Sequence, residues 1–227
     1  MLLFQALEVA IGEKGLKPTA AGNLPVELVR SAADAFLGRY PEQNPFFPMR
    51  REDDFLDLHV TRLVAGLAGL VRKHNRRFIL SRMLRDWRKQ GREGAIYPAL
   101  MGAFVRRYNW GYADAYPELD IVQQSLAFSL YLLWRFGGEW RPISFYADAF
   151  VRAFPQTLDE VRDQPYSQPE TDIRRCYRNR VLQRFAWFFG LVEIRGNIQH
   201  GLVSLDCELR KLPLLDKVAI FSPSLPR

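Results

Sequence analysis

A chain of 227 residues, 48% of them hydrophobic and 13% aromatic, can fill one large core or two of about 100 residues each, and is too rich in rigid rings to be disordered. The formal net charge of +7 is local: between residues 71 and 92 nine Arg or Lys stand against the single acid Asp86, a net +8, and everything else nets −1. The longest apolar runs, 63–71 and 126–134, are nine residues each, against the roughly 18–20 that a helix needs to cross a bilayer, so no membrane association is expected.

The opening MLLFQALEVAIGEKG has no basic leader or small-residue cleavage site, and Leu2, Leu3, Leu7, Val9 and Ala10 have helical spacing closed by Gly12 and Gly15. It reads as an amphipathic helix. With two cysteines, Cys176 and Cys207, and no export signal, reduced thiols and a cytoplasmic location are expected. In LKPT, Pro18 forces Lys17 into extended backbone. GNLPVELVRSAADAF then starts a second helix, with Asn23 as N-cap and Val26, Val29, Ala33 and Phe36 on one stripe.

After a Pro- and Phe-rich loop, a third helix runs from about 52 to 70, its leading Glu52, Asp53 and Asp54 suited to the positive end of the helix dipole. GLVRKHNRRFILS, 69–81, reads as a β-hairpin with a basic tip at 74–77, followed by a short helix capped by Ser81. The second half repeats the order: a helix over LDIVQQSLAFSLYLLWRF, the extended EWRPI, a helix over SFYADAFVRAF, a Pro-containing loop, a helix from about 170 to 189, and a hairpin in GLVEIRGNIQHGLVS, 190–204. The two Gly-Leu-Val steps lie 121 residues apart. Helix, short strand, helix, helix, hairpin is the order of a winged helix. The expected fold is therefore mainly α with small β-hairpins, as tandem winged-helix units at 1–92 and 119–227 joined by a connecting helix and aromatic loop at 93–118.

Catalytic patterns are missing from the sequence. The three histidines, His59, His74 and His200, form no His-Glu-x-x-His, and there is no Cys-x-x-Cys, Gly-x-Ser-x-Gly or phosphate-cradling glycine loop. His59 sits between Leu58 and Val60 as a structural histidine, and neither metal nor cofactor is expected. Binding fits better. A basic wing can lie on phosphates, and Arg72, Lys73, Arg76 and Arg77 supply the charge. The third helix of the first unit is acidic at its start and would repel phosphate. In the second unit Arg174, Arg175 and Arg178 fall within about 100° of a helical wheel. They serve either as base-reading and phosphate-binding groups or as partners for Asp159, Glu160 and Asp163 in the preceding loop.

GLKPTAAGNLPVELVRSAADAF resembles the opening of an uncharacterised family of bacterial proteins, found alone or attached to plasmid-type domains, with a Lys-Leu-Thr-x-x-Gly-Asn-Leu-Pro stretch before a helix. Leu16, Lys17, Thr19, Gly22, Asn23, Leu24 and Pro25 match, and Pro18 departs from the usual leucine. GLVRKHNRRFILS and LRKLPLLDKVAIF are similar to that family's pattern as well. The resemblance implies no settled activity. The wing is also similar to that of MarR-type regulators, a likeness at the level of fold. The expected function is a non-enzymatic binding protein for double-stranded DNA, using the wing of one unit and the Arg-rich helix of the other. The alternative is a protein-protein interaction module, docking through Phe46, Phe47 and Pro48 or through the aromatic stretch 110–116.

Overall fold

The apolar spacing at the N-terminus does form a helix. In the computed structural model, which describes residues 1–43, 48–161 and 168–221, α1 (Leu2–Ile11) buries Leu3, Phe4, Leu7 and Ile11 along one side. The chain is mainly helical with small antiparallel sheets, and it divides into two units, Met1–Asn109 and Trp110–Arg227. Residues 93–118 are shared out between them: the helix within this stretch belongs to the first unit, the loop from 110 to the second.

In the first unit α1 packs with α2 (Val26–Leu37) and α3 (Leu56–Leu67), and α5 (Ile96–Arg106) lies against α3. Asn23 does not cap α2. Its amide donates to Thr19 Oγ1 at 3.1 Å inside a turn, and Pro25 is the residue that precedes the helix. Ahead of α3, residues Glu52–Asp54 form a 3-10 turn rather than a first α-turn, and this turns Glu52 inward. Glu52 is 0% exposed, so it needs donors more than it needs a dipole. It accepts from the Leu24 amide (2.5 Å) and Arg62 Nε (2.5 Å) and is hydrogen-bonded to His59 Nδ1 (2.8 Å). The acid at the helix start is thus a buried tie between the α2 entrance and α3.

The first hairpin pairs β1 (Val71–His74) with β2 (Arg77–Leu80), from Val71↔Leu80 to His74↔Arg77. Leu16 bridges to Phe78 from the far side, with amide-to-carbonyl bonds of 2.9 and 2.8 Å. Gly15 permits this approach, because its φ is +74° and a Cβ there would stand 2.8 Å from the Phe78 carbonyl oxygen. Ser81 Oγ then accepts from the Leu84 amide at 3.1 Å and caps α4 (Arg82–Lys89).

In the second unit the long N-terminal helix is two pieces, α6 (Asp120–Gln124) and α7 (Leu126–Phe136), broken at Ser125. They are followed by β3 (Arg141–Pro142), α8 (Ile143–Ala153), α9 (Thr157–Val161) and α10 (Pro169–Tyr177), which continues as a π-helical segment, Arg178–Trp187. The hairpin expected within 190–204 is larger than that. β4 (Val192–Arg195) pairs with β7 (Glu208–Lys211), while β5 (Ile198–Gln199) and β6 (Leu202–Val203) make a separate small ladder in between. Alternation over a longer stretch favours β7, since Cys207 and Leu209 are buried and Glu208 and Arg210 face outward, whereas Leu202–Val203 is only two residues long, with Val203 buried and Leu202 exposed. β3 joins the other side of β7, giving the order β3-β7-β4, and α11 (Pro213–Val218) closes the unit. In both units, then, the short extended segment after the N-terminal helices bonds to the second strand of the hairpin.

Candidate nucleic-acid interface

Divided by unit, the charge is one-sided. Residues 1–109 hold 18 Lys and Arg against 11 acids, and residues 110–227 hold 14 against 14, so the whole +7 belongs to the first unit. Its cations gather on the β1-β2 hairpin and on α4.

On the hairpin Arg72, Lys73, His74, Arg76 and Arg77 are all exposed. Two are tied back. Arg77 donates to the carbonyls of Lys14 (3.0 Å) and Gly15 (2.9 Å), and Lys73 donates to the Gly22 carbonyl at 3.2 Å with its ammonium 5.1 Å from the Phe78 ring centre. Arg72 and Arg76 make no hydrogen bond or ion pair with other described residues. The loop joining the strands is two residues, Asn75 and Arg76, with φ of +46° and +55°. Positive φ at both positions is the type I′ turn, which suits Asn at the first and Gly at the second. An arginine at the second position is strained by about 1–2 kcal/mol. Its guanidinium makes no hydrogen bond or ion pair with other described residues that offsets this. Arg76→Gly should therefore stabilise the first unit by about 1 kcal/mol in urea denaturation. An unchanged or lower urea midpoint would show that the turn carries no such strain.

α4 carries further exposed cations. Arg82, Arg85 and Lys89, spaced at three and seven, share one face, and all are exposed. Arg82 makes a loose pair with Asp86 at 3.6 Å, whereas Arg85 and Lys89 have no partner among the described residues. Arg88 turns the other way and is bidentate to Glu8 at 2.8 and 2.5 Å. These helix positions were countable in the sequence as charge, and their spacing was the available signal that they form one face.

The second unit treats its arginines differently. Arg174 is bound by Asp148 (2.6 Å) and Glu170 (2.9 Å), not by the loop acids 159 and 160; Asp163 lies outside the described residues. Arg178 is 9% exposed and donates to the Tyr116 hydroxyl at 3.0 Å. Arg175 alone of the three is exposed. Arg180 makes a two-pronged bond to Asp114 at 2.7 and 3.1 Å, with the carbonyl of Pro117 at 3.0 Å. The hairpin charges cancel in cross-strand pairs, Arg195 with Glu208 and Arg210 with Glu193, and both guanidiniums stack on Trp140 at 4.2 and 4.9 Å. The aromatic stretch 110–116 is largely spent within the unit: Trp110 is buried and stacked on Phe185 at 5.3 Å, Tyr116 accepts from Arg178, and Tyr112 is exposed. Phe46 and Phe47 lie outside the described residues, and Pro48 is exposed.

No family model, curated protein or solved structure matches this chain. The described residues hold no group of three His, Cys, Asp or Glu side chains able to grip a metal, and no helix long and apolar enough to cross a membrane. Cys176 and Cys207 are free thiols, 0% and 1% exposed; burial pushes the first up to about 12 and raises the second.

Proposed function

We propose that the chain is a non-enzymatic, tandem winged-helix protein of the cytosol that binds double-stranded DNA through its first unit. The element order of each unit, with the short strand bonded to the second hairpin strand, supports the winged-helix reading. The observation that carries the DNA reading is the unpartnered cation set, Arg72, Arg76, Arg85 and Lys89, on the only unit with a net charge. Most non-specific affinity for DNA comes from such groups displacing counterions.

The test is a titration of the full chain against labelled duplex over a range of salt. Each lost phosphate contact flattens the log-log salt slope by about 0.9, so Arg72→Ala with Arg76→Ala should flatten it by about 1.8 without unfolding the hairpin. Arg77 is a poor choice for this experiment, because its removal would also free the Lys14 and Gly15 carbonyls. A binding curve indifferent to salt, or a slope unchanged in the double variant, would favour docking of a protein partner instead.

A further inference from the structure

We infer that the first unit grips a DNA duplex by its phosphate backbone alone, reading no base edge and stacking on no base; this rests on the reading of its basic face as a DNA surface. A winged helix that reads sequence does so by pushing its third helix into the major groove. Here that helix is α3, and it is withdrawn. α1 and α5 pack along it, and its outward side shows half-buried Leu56, Asp57, Leu63 and Leu67 with the bare backbone of Gly66. None of these side chains can donate to a base, and Asp57, the one that could accept from a cytosine amino group, repels the phosphates that flank it. Arg62, the guanidinium on this helix, is 11% exposed and held by Glu52 at 2.5 Å.

Single-stranded nucleic acid asks for something else, a row of open aromatic rings on which unpaired bases stack. Among the described residues of the first unit no aromatic side chain is fully exposed: Tyr40, Trp87 and Tyr97 are half-buried and the other rings are buried, while the exposed large apolar groups are Met1, Val9 and Met83. Phe78, which lies under the hairpin, is 3% exposed and carries Lys73 over its face. What projects instead is Arg72, Arg76, Arg85 and Lys89, with no neighbour fixing any of them in the bidentate pose that reads guanine. Long, exposed cations without internal partners suit evenly spaced phosphates on a rigid duplex.

Fluorescence anisotropy of the full chain at 50 mM salt tests this, using labelled 20-base-pair duplexes of A/T-only, G/C-only and mixed sequence, and the single strand of the mixed one. The three duplex affinities should agree within about threefold, since a lost base contact would by itself cost a factor of about five or more. The single strand should bind more weakly than the duplex. Four phosphate contacts give a log-log salt slope of about −3.6 on duplex. Arg72→Ala with Arg76→Ala should weaken all three duplexes by the same factor. A preference of tenfold or more among duplexes, or tighter binding of the single strand, overturns backbone-only recognition and leaves the DNA surface in place. If micromolar protein binds none of the four probes, the DNA surface is wrong and the inference falls with it.

Discussion

Asp114→Ala should lower the stability of the second unit by about 3–5 kcal/mol, the usual cost of stripping one member from a buried ion pair. The side chains of Asp114 and Arg180 are 1% and 4% exposed, so the orphaned guanidinium has no water to turn to. Asp114 also accepts from the Tyr116 amide at 3.1 Å and lies 3.8 Å from Arg184. The neighbours Ala113 and Ala115 both have positive φ, +54° and +56°, and each would relax given the chance. One carboxylate thus holds a strained loop against the π-helical segment. Urea denaturation followed by tryptophan emission measures the effect, because four of the five tryptophans, at 110, 134, 140 and 187, lie in this unit. Adding Arg180→Met to the alanine variant should recover a part of the loss. A loss below about 1 kcal/mol would mean that the pair does not hold the loop.

Glu52→Gln should cost the first unit about 3 kcal/mol while barely altering its volume, because Arg62 is left without its counter-charge and the Leu24 amide with a weaker acceptor. The native carboxylate also sets a pH dependence. Burial by itself would raise its pKa, but the hydrogen bonds with His59, the Leu24 amide and Arg62, together with the Arg62 charge, hold it below the ordinary 4.5. A depressed carboxylate stabilises fully above its unfolded value and loses that contribution as pH falls through the folded value. Parent and variant should therefore differ most above about pH 5 and converge in acid, in urea midpoints taken across that range. Curves that stay parallel down to pH 3 would show that Glu52 is not the titrating group.

Where the signal was local, the sequence was readable. The β1-β2 hairpin needs a two-residue turn between two apolar steps, and all of its basic residues lie within six positions, 72–77, so both the element and its charge were visible in one short window. The second hairpin closes over a twelve-residue excursion, and its true partner strand, Glu208–Lys211, competes in the sequence with the nearer Leu202–Val203. The arginines of the second unit misled for a different reason. The helix from 169 to 187 is central to its unit, with Ile173, Cys176, Tyr177, Val181, Leu182 and Phe185 all buried, so a wheel drawn to find an exposed face cannot foresee that Arg174, Arg178 and Arg180 extend to partners 26 to 66 residues away. Glu52 was misassigned because an acid at a helix start has an ordinary explanation, and its partners at Leu24 and Arg62 come together only in the folded unit.

The two buried thiols have a practical corollary. Maleimides and iodoacetamide react with thiolate that they can reach, and Cys176 and Cys207 offer neither the charge nor the access near neutral pH. The native chain is thus silent to such reagents, with no need to delete its own cysteines first. A cysteine introduced by His74→Cys, on an exposed strand end beside the turn, would be the single reactive handle, able to carry a dye that reports whatever approaches the hairpin.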